Sequence, residues 1–283
     1  MRRGLAFIGL LLAAALPLAC GGAEVSPEAA VAEAATKTSG AGSSRVAFEG
    51  SVGGGGLPQA FAFTGEGAVD YESRQARLSY DMSEVMPGGG ELELLMDWPV
   101  MYMRFPEAVA SELPEGKSWV KFDLGAVGAN LGIDLDQLMQ LNQGDPSQVL
   151  TYLRGVTEGV EELGEEKVRG VTTTHYRALV DVRKSAEQAA GSLDAETRRA
   201  LQESVDRLVE LTGTKVMPMD VWIDEEGLAR RISMSFDMNV PEATEKMRME
   251  MSMEFFDFGT AVDVNPPPAD EVLDLNELVG SGA

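Results

Sequence analysis

From position 45 onward, apolar residues recur at every second place. Val46 and Phe48 alternate with polar neighbours. So do Phe61 and Phe63, then Leu78, Tyr80 and Met82, then Leu92, Leu94 and Met96. Period-two alternation puts one set of side chains on one face of a strand. Positions 100–105 and 119–124 read as further strands. Glycine-rich breaks at 53–56 and 87–90 separate the runs. Short breaks of this kind join neighbours in an antiparallel meander.

The period then changes. Leu135, Leu138, Met139 and Leu141 have helical spacing after Asp134. Asp145-Pro146 opens a second helix with Val149, Leu150, Leu153 and Val156 on one side. Glu161-Glu162 and Glu165-Glu166 fall in a helix-to-strand turn, and strand returns at 167–170 and 172–182. A longer helix fits 194–211, with Leu201, Val205 and Leu208 as its apolar stripe and Gly213 as its stop. A hairpin follows, 219–224 and 228–238, about a Glu225-Glu226-Gly227 turn. The most regular stretch comes next: Met247, Met249, Met251, Met253 and Phe255 alternate with Arg248, Glu250, Ser252 and Glu254. Three prolines at 266–268 end the sheet, and 270–278 is a closing segment. Ahead of all the strands, Ser26-Pro27-Glu28 is an N-cap with proline at the first helical position, so 28–38 forms a short alanine-rich helix. Helices inserted between runs of strands predict an α+β fold, a large antiparallel sheet with helices on one side. A parallel βαβ sheet would alternate them one by one.

The N-terminus bears on the compartment. Arg2 and Arg3 precede an apolar run at 5–16, too short to span a bilayer. It ends in Leu16-Pro17-Leu18-Ala19-Cys20-Gly21, which resembles the bacterial lipobox, with Pro17 in place of the usual leucine. The resemblance implies cleavage before Cys20, diacylglycerol on its sulfur, and a fatty acyl group such as palmitate on the freed amino group. Cys20 is the single cysteine of 283 residues, so no intramolecular disulfide can form. Lipidation accounts for a lone exported thiol; cleavage near Ala19 as an ordinary secretory signal is the alternative.

Charge narrows the partners. With 23 Lys+Arg against 46 Asp+Glu the net charge is −23, and loss of Arg2 and Arg3 with the leader takes it to −25. Such a surface repels nucleic-acid phosphates and anionic head groups. The anchor, and no basic patch, must hold the chain at a membrane.

Catalytic patterns are missing. The one histidine, His175, sits in strand pattern with no nucleophile motif beside it, and reads as structural. There is no His/Cys cluster for zinc, no Walker A loop and no strand–GxGxxG–helix unit. The acidic pairs read as solvated charge, and aromatics are only 6% of the chain, poor for a sugar site. No enzyme activity and no cofactor are expected.

What is present is methionine, fifteen in all. Met219, Met234, Met238, Met247, Met249, Met251 and Met253 crowd into one zone, four of them on one face of one strand. Thioether side chains are unbranched and adapt to variable apolar shapes. Strand cores ordinarily use β-branched and aromatic residues, which specify one geometry. The face is therefore either a soft apolar cavity or a methionine-filled core beneath helices.

Taken together, the layout resembles the actinobacterial lipoproteins of the LppX/LprG type, which share a half-barrel with the LolA and LolB carriers. The likeness spans about 46–258. It is carried by the lipobox at Cys20, a short helix, a meander containing Trp119-Val120-Lys121-Phe122, a helical insert, and Gly170-Val171-Thr172-Thr173-Thr174-His175-Tyr176. A long helix then leads into Val221-Trp222-Ile223-Asp224-Glu225-Glu226-Gly227-Leu228-Ala229-Arg230-Arg231. The resemblance implies a curved antiparallel sheet, a half-barrel covered by helices on its concave side, enclosing a lipid cavity. It divides the chain into a signal peptide at 1–19, a lipidated tether and short helix at 20–44, and one lipid-binding domain at 45–283. Expected partners are a lipid or lipoglycan and the membrane held through acylated Cys20; the chain is expected to be a monomer, lipid-anchored and facing the extracytoplasmic space. Strand alternation nominates Phe61, Phe63, Leu78, Tyr80, Leu92, Leu94, Val120, Phe122, Met234, Phe236, Met249, Met251 and Met253 as cavity lining. The alternative is a non-catalytic envelope interaction or sensor module with a packed core.

Overall fold

The computed structural model describes residues 26–84, 89–123, 157–192, 195–213, 215–239 and 245–275. In chain order these form α1 (Pro27–Gly40), β1 (Ser43–Gly54), β2 (Phe61–Asp70), β3 (Gln75–Asp81), β4 (Glu91–Asp97), β5 (Val100–Arg104), the single turn α2 (Glu107–Ala110), β6 (Trp119–Asp123), β7 (Thr157–Val168), β8 (Val171–Asp181), α3 (Val182–Ala189), α4 (Ala195–Thr212), β9 (Val216–Asp224), β10 (Ala229–Met238), β11 (Met247–Phe256) and β12 (Val272–Asp274). The strands make one open sheet in the order β12-β6-β5-β4-β3-β2-β1-β11-β10-β9-β8-β7. Neighbours are antiparallel throughout, except that β12 runs parallel to β6. This is the expected large antiparallel sheet. The leader, Cys20 and the two helices predicted at 135–156 lie outside the described residues.

α1 is fixed at both ends. Ser26 caps it, its Oγ accepting from the Ala29 amide at 3.2 Å, and Pro27 supplies the first helical position. At the other end Thr38 Oγ1 donates to Ala34 O at 2.6 Å and accepts from the Ala229 amide at 2.9 Å. That second bond ties the helix to the start of β10. Between these ends Val31 and Ala34 pack on Val160, Ala178, Val221, Ile223 and Ala229, from β7, β8, β9 and β10. α1 therefore lies on one face of the sheet. α3 and α4 pack on each other, and touch β8 and β10.

The β9–β10 hairpin turns as its sequence predicts. The Asp224 carboxylate accepts from the Glu226 and Leu228 amides, and Gly227 takes φ +81°, a left-handed position that favours glycine.

Three expectations need correction. The acidic pairs are not in a turn: Glu161, Glu162, Glu165 and Glu166 all lie within β7 and are exposed. β7 is the outermost strand, where charge is tolerated because one side of the ladder meets solvent, and its pairing to β8 slips twice. The prolines at 266–268 do not end the sheet, since β12 follows and adds a strand beside β6. Helix α3 was not anticipated, because among the described residues its buried side is only alanine, Ala186, beside the charged Arg183, Lys184 and Glu187.

Candidate functional site

Residues directly opposite in an antiparallel pair point to the same face. Following the register across the sheet therefore sorts every strand residue. One row runs Met219–Met234–Met251–Gly50–Phe63 across β9, β10, β11, β1 and β2. The next runs Val221–Ile232–Met253–Phe48–Gly65–Tyr80–Leu92, reaching β4. A third links Phe255, Val46, Gly67, Leu78, Leu94, Met103 and Val120. Phe236 and Met249 oppose each other and lead to Val52 and Phe61; Met101 opposes Phe122. Across the nine adjacent strands from β9 to β6, this face carries no charged residue at any paired position.

All thirteen residues nominated from alternation fall on this one face, the face that α1 covers in part. Alternation within separate strands had no power to relate one strand to the next; the register does. It also adds residues the sequence reading left out: Phe48 and Val52 on β1, and Met96, Met101 and Met103 on β4 and β5. Signals for these differ. Phe48 stands in clear alternation. Met101 and Met103 interleave with Val100 and Tyr102, so either parity reads as apolar. Counting along the rows, eleven of the fifteen methionines share the face, four more than the cluster visible in sequence.

The floor of the β1–β3 part is aromatic. A Cβ on Gly50 would lie 2.2 Å from the Phe63 ring, and one on Gly65 would lie 2.2 Å from the Phe48 ring. Each phenyl therefore lies down over the glycine opposite it. The gap at Gly65 lets Phe48 reach over β2 to Tyr80, with ring centroids 4.4 Å apart. Burial pushes the Tyr80 phenol upward, and the Tyr176 phenol likewise.

Cover is uneven. Beneath α1, Ala178, Val221 and Ile223 are closed off. On β11 the same face is open: Met251 is 41% exposed and Met253 36%. These are large apolar groups presented to solvent in the middle of an uncharged surface, which ordinary surface scatter does not produce.

The opposite face is polar, with Glu49, Ser51, Thr64, Asp220, Arg231, Ser233, Glu250 and Ser252 around a groove of about 460 Å³. His175 belongs to this side. It is buried, stacked on Trp222 with centroids 4.1 Å apart. Its Nε2 lies 2.7 Å from Asp220 Oδ1 and its Nδ1 3.1 Å from Glu166 Oε1. Trp222 Nε1 donates to the other Glu166 oxygen at 2.8 Å. That bond, more than the histidine beside it, holds the Glu166 carboxyl below the ordinary carboxylate range. With both ring nitrogens taken by carboxylates, His175 ties β7, β8 and β9 together; a general base would need one of them turned to a nucleophile.

No family model matches the chain. It is 26% identical over 268 residues to an uncharacterized 31.2 kDa protein from the rplA-rplJ intergenic region of Streptomyces griseus, covering 92% of this chain and 82% of that one. Among solved structures it is similar to lipoprotein LppX of Mycobacterium tuberculosis, at TM-score 0.49 and 14% identity over 84% of this chain and 98% of that one. LprF of Mycobacterium bovis is similar at TM-score 0.47 and 12% identity, over 86% and 97%.

Proposed function

We propose that this chain is a membrane-anchored lipoprotein whose uncharged sheet face binds acyl chains and carries a lipid or lipoglycan within the cell envelope. The observation that carries the reading is the open methionine bank on β11, Met251 and Met253 exposed within a nine-strand surface free of charge. An acyl chain laid there would bury methylenes worth about 0.8 kcal/mol each. Unbranched thioethers can follow chains of different shape, as β-branched side chains cannot. Phe48, Phe63 and Tyr80 would form the firm floor beside that bank, and the other lining residues named above would extend it toward β6. Acylation of Cys20 would hold the carrier on the extracytoplasmic side of a membrane, with no chemical step catalysed.

Native mass spectrometry of residues 24–283, purified without detergent from cells and then exposed to a lipid extract, tests this. A reproducible mass increment matching one or two lipids is expected. A bare protein mass under both conditions, with no uptake of added phospholipid, would refute it and leave a packed-core interaction module.

A further inference from the structure

The same bank has a second chemistry that does not depend on lipid. Met234 on β10 stands directly opposite Met251 on β11, and Met249 and Met253 flank Met251 on its own strand. Directly opposed Cβ atoms lie about 5 Å apart and diagonal ones about 7–8 Å. Met249 and Met253 stand about 13 Å apart along the strand, so the flexible side chains of Met234, Met251 and one of these two can bring three sulfurs to one point. A thioether is a soft neutral donor, and soft sulfur donors select Cu(I) over the harder divalent metals. Among the described residues no competing donor sits among them: the sole histidine is on the polar face, and this face has no carboxylate at a paired position between β9 and β6. Among the described residues, no group of three His, Cys, Asp or Glu is placed to hold a metal. Met251 and Met253 are open to solvent, so an ion can reach them. The net charge of −23 raises the local cation concentration.

We propose that Met234, Met251 and one strand neighbour, Met249 or Met253, form a sulfur-only site for a soft monovalent cation, Cu(I), with Ag(I) as its redox-inert substitute. Three of the four thioethers suffice for a trigonal shell. Binding is simple coordination, with no change in oxidation state.

The test uses the full chain with Cys20→Ala, which removes the only thiol, titrated anaerobically with Cu(I) against a chromogenic chelator and with Ag(I) by calorimetry. About one equivalent of either ion is expected. Met234→Leu with Met251→Leu conserves volume and apolarity. It should weaken binding at least about tenfold, while Met101→Leu with Met103→Leu on β5 leaves it unchanged. Acyl uptake is measured on the parent chain alone, so the two readings fail separately: ion binding without lipid uptake sinks only the carrier, and lipid uptake without ion binding sinks only this site. Absence of saturable uptake, or undiminished affinity in the Met234/Met251 pair, overturns the proposal. X-ray absorption of the copper-loaded chain gives a check that needs no variant. A first shell of sulfur alone is expected, and oxygen or nitrogen in that shell overturns the site.

Discussion

Two adjoining parts of one sheet face solve different problems. Under α1 the residues are Val31, Ala34, Val160, Ala178, Val221, Ile223 and Ala229, small or mostly β-branched, and all buried. On the adjoining β11 they are Met249, Met251 and Met253, of which two are exposed. Row neighbours make the contrast sharp: Val221 is 4% exposed and Met253, two steps along the same row, is 36%. Stiff side chains occupy the covered bank, where one packing must be specified. Adaptable ones occupy the open bank, where no partner in the described chain fixes a geometry. The residue types follow the cover.

Truncation on each side is the most severe way to break that contrast. Ile223→Ala leaves a cavity beneath α1 and should cost about 2–5 kcal/mol. Met251→Ala removes a group already 41% exposed and should cost less than about 1 kcal/mol. Urea unfolding of both variants measures the pair. Equal losses would mean that the open bank is as tightly packed as the covered one.

The floor beside the open bank comes next in size. At Gly65 an added Cβ meets the Phe48 ring at 2.2 Å and the Ser79 carbonyl oxygen at 2.5 Å. The ring can lift, but the β3 backbone cannot move without breaking its ladder. Gly65→Ala should therefore cost about 1–3 kcal/mol and separate Phe48 from Tyr80, which loss of near-ultraviolet circular dichroism would register. A neutral result would show the floor to be as soft as the methionines.

A smaller change in stability, with a larger one in ligand uptake, is expected of Met251→Trp. On an open bank the indole has room, so the loss should stay within about 1 kcal/mol while uptake of a fluorescent fatty acid falls at least about tenfold. A strong loss of stability with unchanged uptake would place Met251 in a closed core.

How far these features could be read beforehand depended on their range. Alternation at 247–255 was local, and it put the four methionines on one face of β11 without any structure. The N-cap at Ser26 and the Gly227 turn were local too. What alternation lacks is the register between strands, which rests on pairing partners far apart in the chain. Phe48 opposite Met253, and Phe63 opposite Gly50, are juxtapositions of that kind. Cover is longer-ranged still. The cap at Ser26 and Pro27 and the alanine-rich run after it predict a helix but not which strands it closes, so the division into banks stayed hidden. β7 misled for the opposite reason: four glutamates suit a turn by composition, and only the edge position of the strand explains them.

The smallest effect concerns what holds the open bank from behind. On the polar side of β11, Glu254 accepts from Arg231 and from the Arg169 Nε at 2.7 Å. Arg169 stands in the β7–β8 turn, 3.9 Å above the Phe256 ring. Burial pushes the Glu254 carboxyl up, but the two guanidinium groups together outweigh it and hold it below its ordinary value of 4.5. A carboxyl depressed by folding stabilises the fold in full above that ordinary value. The contribution then disappears as pH falls through the depressed one. Acid below about pH 4.5 should therefore loosen β11 while leaving the burial under α1 untouched. Glu254→Gln should cost about 1 kcal/mol or less at neutral pH. It should also flatten, without abolishing, the fall in urea midpoint between about pH 5 and about pH 3, since Glu166 still titrates in the variant. Hydrogen exchange on β11 should show the difference before global unfolding does. An acid profile identical to that of the parent would mean that the methionine strand is held by its ladder alone.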